Sequence, residues 1–189
     1  MRTLSDPELV QEVRNGKRQA FTELMRRYQE RIYWVARRMV GDHADADDIT
    51  QETFIKAYMA LGDFRGESTF FTWIYRIAVN LSLNAVRKHQ VMNYLRQSDI
   101  VARVLPAKER PDTQLEVKEM EASLLRAIGG LPEKQRAVFV LRYFDSLSYE
   151  EISAILKTSV GGLKANYFHA IRKIQERMKD ENPRKTGSH

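Results

Sequence analysis

Aromatic, amide and cationic side chains are concentrated in residues 64–88, which read FRGESTFFTWIYRIAVNLSLNAVRK. Amides can pair with base edges, arginine pairs with phosphate, and aromatic rings stack on unpaired bases. One set of such residues recurs at steps of three and four: Trp73, Arg76, Asn80, Asn84 and Arg87. Taken singly, the rings are more typical of a packed core and the amides of a solvated face. Together they favour contact with single-stranded nucleic acid.

A helix preceded by a short loop is needed to hold these side chains in one line. Gly66 lies in the loop, and Ser68 is expected to cap the helix by accepting a hydrogen bond from a free backbone N–H. The next twenty residues contain neither proline nor glycine. The apolar stripe expected to face the core comprises Phe70, Ile74, Ile77, Leu81 and Ala85. The sequence therefore predicts one helix with an apolar face and a nucleic-acid face.

An earlier helix carries carboxylates near its start, within residues 45–48. Acidic residues suit this position because the helix dipole is positive there. One face of the helix mixes acids, an amide and apolar side chains: Asp48, Gln51, Glu52, Ile55 and Met59. Acid–base catalysis and a metal site are weaker alternatives, because the four histidines of the chain show no ligand spacing. The mixture favours a surface that docks another protein.

A helix-turn-helix is predicted over residues 145–173. Ser148 and Glu151 have the spacing of a capping box, residues 157–159 form a tight turn, and a basic helix follows. This geometry lays the second helix in the DNA major groove. The side chains expected to point outward are Lys164, Asn166, Phe168, His169, Arg172 and Lys173. An ordinary helical hairpin with a basic face is the alternative.

Composition limits the other possibilities. The formal net charge is +6, and the basic residues form separated clusters, as expected for a protein that contacts an extended polyanion. The absence of cysteine excludes disulfides and thiolate metal sites. No apolar run approaches the ~20 residues of a membrane span, and the N-terminus lacks the core of a signal peptide. We therefore expect a cytoplasmic, non-enzymatic protein without cofactor or metal.

The predicted fold is all-α, with two small helical domains and a flexible linker. The domains are expected at residues 1–90 and 114–189, and the C-terminal one contains the helix-turn-helix. Residues 91–113 form the linker, since Pro106, Pro111 and weak periodicity argue against a continuous helix. A transient helix within the linker is expected over about residues 91–101.

Three segments in this order resemble the bacterial extracytoplasmic-function (ECF) sigma factors. They are DADDITQETFIKAY, FRGESTFFTWIYRIAVN and LPEKQRAVFVLRYFDSLSYEEISAIL, and the similarity extends over about residues 6–177. The resemblance implies a sigma factor that binds core RNA polymerase and directs promoter-specific transcription initiation. Such a protein melts the downstream promoter element and reads the upstream element as duplex. It also implies an anti-sigma factor as a partner.

The resemblance and the residue patterns assign roles to individual positions. For polymerase binding these are Asp48, Gln51, Glu52 and Ile55. For the downstream element they are Phe64, Arg65, Ser68, Phe70, Trp73, Arg76, Asn80, Asn84, Arg87 and Lys88. For the upstream element they are Arg142, Lys164, Ala165, Phe168, His169 and Arg172. The chain departs from the family pattern at His169 and Asn166, where arginine is common, and at Lys157, where glycine is common.

Two other functions are compatible with the residues alone. One is a helix-turn-helix transcriptional regulator whose N-terminal half senses a ligand. The other is a nucleic-acid-processing enzyme, which is disfavoured because no metal or nucleophile constellation is present. Co-purification with RNA polymerase separates all three functions.

Overall fold

The chain folds into α-helices in a computed structural model, which describes residues 4–97 and 113–181. The α-helices are α1 (Asp6–Arg14), α2 (Arg18–Val40), α3 (His43–Ala60), α4 (Phe70–Gln97), α5 (Thr113–Gly129), α6 (Glu133–Phe139), α7 (Tyr149–Leu156) and α8 (Val160–Glu181). A 3-10 turn (Leu61–Asp63) follows α3, and a π-helical turn (Val140–Phe144) follows α6. No strand occurs in the described ranges, which agrees with the predicted all-α fold.

Most helix ends follow from local capping chemistry. At α7 the predicted capping box is confirmed, because the Ser148 N–H donates to Glu151 at 2.7 Å and the Glu151 N–H donates to Ser148 at 3.1 Å. Gly41 ends α2 with φ +83°, a conformation that costs glycine little. The predicted cap of α4 is wrong by one residue. Helix α4 starts at Phe70, so Thr69 caps it, accepting the Thr72 N–H at 3.1 Å.

Helix α4 is longer than its sequence pattern predicts. It continues to Gln97 and so includes the first part of the predicted linker and of the transient helix. The rest of both predictions, residues 98–112, lies outside the described residues. At the other side, α5 begins at Thr113, close to the expected start of the C-terminal helices.

The apolar core extends through both halves of the chain. Helix α2 packs against α1, α3 and α4, and α8 packs against α5, α6 and α7. Helix α4 also packs against α6 and α7, and α2 packs against α5. The largest buried apolar side chains include Leu24, Ile32, Met39, Ile74, Ile128, Leu141, Ile152 and Leu163. Burying each one contributes roughly 1.5–3 kcal/mol, so the two halves stabilise one common structure.

Contacts on two sides broaden the buried face of α4. The predicted stripe is right at Phe70 and Ile74, which are buried, whereas Ile77 is half-buried. The face is instead completed by residues offset by one or two positions: Tyr75, Ala78, Val79, Ser82 and Val86. These residues are covered because α4 lies between the N-terminal helices and the α6–α7 pair. A periodicity rule for a helix with one buried face does not anticipate this arrangement.

Candidate nucleic-acid interface

The predicted loop begins where α3 ends. The last carbonyl groups of a helix lack intrahelical partners, and here Arg14 of α1 supplies donors. Its Nε and Nη2 donate to the Leu61 carbonyl oxygen at 3.4 Å, and Nη2 also donates to the carbonyl oxygens of Gly62 (3.5 Å) and Phe64. Gly66 then turns the loop with φ +73°, a backbone conformation that favours glycine. The position of Phe64 is thus fixed by an arginine that the sequence patterns did not single out.

Three aromatic rings form a cluster at the junction of the loop and α4. The Phe64 ring centroid lies 4.9 Å from that of Trp73 and 6.3 Å from that of Phe70, and the Phe70 and Trp73 centroids are 5.8 Å apart. Phe64 and Trp73 are half-buried, so each keeps an accessible edge. Phe70 is only 3% exposed and packs against Tyr28. Burial therefore favours a core role for Phe70, which supports the two other rings, over direct stacking on a base.

Tyr75 also belongs to the aromatic-rich segment 64–88. It is fully buried, at 0% exposure, between α2 and the C-terminal half. Burial raises the pKa of its hydroxyl, and the nearby Asp145 carboxylate raises it further. The Tyr75 ring therefore belongs to the core, and it is not available to stack on DNA.

A small cleft opens beside the aromatic cluster, with a volume of about 270 Å³. Its walls are formed by Asp63, Phe64, Arg65, Glu67, Ser68, Trp73, Arg76 and Lys157. Asp63 ends the 3-10 turn after α3, the next six residues come from the predicted loop and α4, and Lys157 comes from the turn of the helix-turn-helix. The cleft combines rings, a hydroxyl group, cations and two carboxylates. The rings, the hydroxyl group and the cations are groups that can hold an unstacked base and its phosphate.

The polar stripe of α4 faces away from the core. Asn80, Asn84, Arg87 and Lys88 are exposed. The two arginines of the stripe contact the C-terminal half: Arg76 donates from Nη2 to the Ala154 carbonyl oxygen at 2.9 Å. Arg87 donates from Nε and Nη2 to the Glu133 carboxylate at 2.6 and 2.9 Å. These contacts join the predicted nucleic-acid face to α6 and α7.

The predicted docking surface on α3 is solvent-exposed. Asp48, Gln51, Glu52 and Ile55 all lie on the surface, beside Met59, which is 78% exposed. Glu52 forms an ion pair with Lys56 at 3.3 Å, one turn further along the helix. The opposite face of α3 is buried through Ala46, Ile49, Thr53, Phe54 and Ala57. Two exposed apolar side chains beside carboxylates form a surface suited to a basic protein partner.

Helices α7 and α8 form the predicted helix-turn-helix. Lys157 ends α7 with φ +55°, a left-handed conformation that explains why glycine is common at this turn. On α8, the exposed side chains include Lys164, Ala165, Phe168, His169 and Arg172, whereas Asn166 and Lys173, also predicted to point outward, are half-buried. Phe168 is 64% exposed, although it is a large aromatic residue. The outward positions therefore form one accessible surface.

Two polar side chains of the C-terminal half that are predicted to bind DNA or to point outward form hydrogen bonds within the protein. Arg142 donates from Nη1 to the Leu147 carbonyl oxygen at 2.8 Å, and its guanidinium lies 5.2 Å from the Tyr149 ring centroid. Asn166 donates from Nδ2 back to the Gly162 carbonyl oxygen at 2.9 Å. Arg142 is half-buried and is held near the start of α7, while Asn166 is directed along its own helix.

Within residues 4–97 and 113–181, no three His, Cys, Asp or Glu side chains are grouped as metal ligands. None of the helices in these ranges is long and apolar enough to span a bilayer.

Both halves of the chain match known protein families. Residues 24–91 match the family described as Sigma-70 region 2, and residues 121–174 match Sigma-70, region 4. The chain is 38% identical to the RNA polymerase sigma-H factor of Pseudomonas aeruginosa, over 92% of this chain and 93% of that protein. It is 36% identical to the ECF RNA polymerase sigma-E factor of Salmonella typhimurium, over 93% of this chain and 95% of that protein.

The fold is similar to a solved structure over most of its length. That structure is CnrH in complex with the cytosolic domain of CnrY, with a TM-score of 0.68 and 25% sequence identity. The match covers 94% of this chain and 98% of the other. The similarity thus includes both the N-terminal and the C-terminal helices.

Proposed function

The chain belongs to the ECF sigma factors of bacterial RNA polymerase, and from its surfaces we propose how it performs that function. As a sigma factor it binds core RNA polymerase and directs promoter-specific transcription initiation. A ligand-sensing regulator is not favoured, because residues 24–91 match Sigma-70 region 2. The observation that carries our proposal is the presence of three exposed surfaces of different chemistry on α3, α4 and α8.

We assign polymerase docking to the surface of Asp48, Gln51, Glu52, Ile55 and Met59. The carboxylates supply charge complementarity to a basic partner, which increases the association rate and selects the orientation. Ile55 and Met59 are exposed apolar side chains whose burial in an interface is favourable. The surface lies opposite the core face of α3, so a partner can bind it without disturbing the fold.

Strand opening is assigned to the cleft and the polar stripe of α4. Extruding a base costs a few kcal/mol, and stacking on a protein ring contributes roughly 1–3 kcal/mol. Phe64 and Trp73 supply the rings, Asn80 and Asn84 supply amides, and Arg76 and Arg87 supply positive charge. Phe70 contributes indirectly, because it supports both rings from the core.

Reading of the upstream element is assigned to α8. Lys164, Phe168 and His169 are exposed on one surface and belong to the helix that a helix-turn-helix lays in the major groove. Arg172 adds positive charge further along the helix, and Arg142 supplies charge near the start of α7. The surfaces on α3 and α4 lie within residues 1–90, and the surface on α8 lies within residues 114–189, which are the two ranges predicted as domains. We propose that residues 91–113, the segment between these ranges, lets the two halves reach separate DNA elements.

An anti-sigma factor is proposed as a further partner, because a solved structure of similar fold contains the sigma factor RpoE in complex with the anti-sigma factor NepR. We also propose that the protein acts in the cytoplasm, where RNA polymerase acts, and that it has no catalytic chemistry of its own. Bond formation then belongs to the polymerase, and this chain supplies promoter choice and strand separation.

Transcription with purified components tests this assignment. Core RNA polymerase is combined with the full chain and promoter DNA selected from genomic fragments, and run-off transcripts are measured. We expect the chain to co-elute with core polymerase and to produce transcripts that core polymerase alone does not. A chain that binds DNA but neither co-elutes nor supports transcription would contradict the proposal.

A further inference from the structure

Tyr149 lies where three elements of the C-terminal half meet. It is the first residue of α7 and directly follows Ser148, whose capping box fixes the backbone at this point. The ring is half-buried, and its centroid lies 6.3 Å from that of Tyr167 on α8, in an edge-to-face arrangement. Tyr167 in turn stacks on buried Phe139 of α6, with 6.0 Å between the ring centroids. Contacts with the core therefore hold the Tyr149 ring in place.

Two cations lie over this ring. The Arg142 guanidinium is 5.2 Å from the ring centroid, and the Lys164 ammonium group is 5.7 Å from it. Both distances are within the ~6 Å over which the negative face of an aromatic ring attracts a cation. Arg142 belongs to the π-helical turn and Lys164 belongs to α8. One ring therefore gathers positive charge from two separate elements.

The Tyr149 ring matters more for the orientation of Lys164 than for that of Arg142. Arg142 is half-buried and donates to the Leu147 carbonyl oxygen, so the main chain also holds its guanidinium. Lys164 is exposed, and a lysine has a flexible four-carbon stem. Within residues 4–97 and 113–181, no carboxylate forms an ion pair with Lys164. The contact with Tyr149 therefore restricts where the ammonium group lies.

We propose that Tyr149 is a positioning residue for promoter recognition, whose ring holds the Lys164 ammonium group in the orientation from which it contacts a base pair. This inference rests on the proposed reading of the upstream element by α8. A side chain that is already ordered loses less conformational freedom on binding, so the ring increases affinity for the base pair that Lys164 contacts. At a partly exposed site, a cation–π contact corresponds to about two- to fivefold in affinity.

A role in packing alone would have different consequences. The Tyr149 ring packs against Tyr167, so removing it would loosen α7 against α8 and lower the affinity for all promoter sequences alike. A positioning role predicts a loss of preference at one base pair, and this loss requires Lys164. The charge distribution of the ring face is also decisive for positioning, because packing depends mainly on the shape of the ring.

Fluorination of the ring separates the two roles. Tyr149→Phe and Tyr149→pentafluorophenylalanine have nearly the same shape, but fluorine withdraws electrons from the ring face, which then repels a cation. Each full-length variant is assembled with core polymerase. Affinity is measured by competition among promoter duplexes that differ at single upstream base pairs, and Lys164→Ala identifies the base pair that Lys164 contacts. Tyr143→Leu, which removes an exposed ring from the same half, is the control.

We expect Tyr149→Phe to keep the wild-type preference at the Lys164 base pair, and the fluorinated variant to lose about two- to fivefold there. Preference at the base pairs that respond to His169→Ala should be unchanged in both ring variants. Tyr143→Leu should keep the wild-type preference at every position. In the Lys164→Ala background, the two ring variants should no longer differ, because the cation that the ring holds is absent.

Equal preference of the two ring variants for that base pair would overturn the positioning role, while a loss in Lys164→Ala would leave the assignment of α8 intact. A difference between the ring variants that persists in the Lys164→Ala background would also overturn it, because the ring would then act through another group. If Lys164→Ala changes preference at no base pair, the proposed base reading by Lys164 is wrong, and the positioning role of Tyr149 is wrong with it.

Discussion

Arg136 of α6 donates a hydrogen bond from Nη1 to the carbonyl oxygen of Met39, close to the end of α2, at 2.7 Å. The two residues are 97 positions apart, and Arg136 is buried. Its Nη2 donates to the carbonyl oxygens of Gly129 and Leu131 in the turn between α5 and α6. One guanidinium thus fixes a turn within the C-terminal half and joins that half to α2.

Replacing Arg136 is predicted to destabilise the whole chain. Arg136→Met keeps much of the side-chain volume but leaves buried carbonyl groups without donors, which costs about 2–4 kcal/mol. Burial lowers the pKa of Arg136, so part of this loss is offset by removing a desolvated charge. Chemical denaturation of the full chain measures the change. Lys134→Met, two positions away on α6 and exposed, is the control and should lie within about 0.5 kcal/mol of the wild type.

Asp145 predicts a pH dependence of stability between about pH 4 and 6. Burial raises its pKa from 3.8 to about 6, although Arg38 and Arg31 of α2 and the Tyr75 hydroxyl group of α4 favour the carboxylate. The folded state therefore holds a proton that the unfolded state has released. Stability should fall as the pH rises from about 4 to 6 and stay level above that.

Asp145→Asn should remove this dependence and raise stability at pH 7.5 by roughly 1–3 kcal/mol. The difference between variant and wild type isolates Asp145 from groups such as Glu23, whose lowered pKa acts with the opposite sign at lower pH. Exposed Asp180→Asn is the control. A constant difference from pH 4 to pH 7.5 would contradict the prediction.

Much of the fold follows from local sequence because its signals are local. Gly41 ends α2 through its left-handed backbone, and Ser148 starts α7 through its hydroxyl group, so the C-terminal end of α2 and the start of α7 were predictable. The contacts between the halves were not. Arg136 and Arg76 bind main-chain carbonyl groups, and every residue carries one, so no residue type marks the acceptor.

The residue types of the candidate site could be predicted from the sequence, but the directions in which the side chains point could be predicted less well. Trp73 and Tyr75 are two positions apart, a rotation of about 200° on a helix. Trp73 faces the cleft and Tyr75 lies in the core. Which one faces the core depends on the helices that pack against α4. Exposed Asn80 and Asn84 agree with the predicted stripe, because none of the helices in residues 4–97 and 113–181 packs over that part of α4 closely enough to bury them.

Polymerase docking is tested by reversing one charge on α3. Glu52→Lys should weaken binding to core polymerase by about tenfold, since a carboxylate that faces a basic surface becomes a like charge. Helix content should be unchanged because Glu52 is exposed and its ion pair with Lys56 is local. Binding is measured by fluorescence-detected titration. Glu30→Lys, an equal charge change at an exposed position of α2, is the control. Equal affinities of the two variants for core polymerase would show that Glu52 is not part of the interface.

Upstream recognition is predicted to depend on α8 side chains. Lys164→Ala and His169→Ala should each change the preferred upstream sequence, with about 1–3 kcal/mol lost at the contacted base pair. Selection of binding sites by the holoenzyme measures the preference. Gln175→Ala, an exposed α8 residue outside the predicted set, should leave it unchanged. An unaltered preference in the Lys164/His169 double variant would place base reading elsewhere.

Strand opening gives the most direct test of the α4 stripe. A duplex keeps its bases stacked, so a protein that melts it must supply contacts that exist only in the open state. Asn80 is exposed on the stripe and is not part of the core. Asn80→Ala should leave core binding and duplex affinity near wild type, but lose about 1 kcal/mol, or roughly fivefold, in open-complex formation. Permanganate reactivity of promoter thymines on linear DNA measures the open complex.

Pre-melted promoter bubbles provide the matching control for Asn80→Ala. If the Asn80 amide assists the opening step, a pre-melted template removes the cost of unpairing the bases and should restore most transcription. Gln29→Ala, an exposed amide on α2, should behave like the wild type on both templates. Wild-type thymine reactivity in Asn80→Ala would show that this part of α4 is a solvated face. If Asn80→Ala loses as much transcription on the bubble template as on linear DNA, the contact is needed after the bases have separated. Asn80 would then hold the open strand rather than assist its opening.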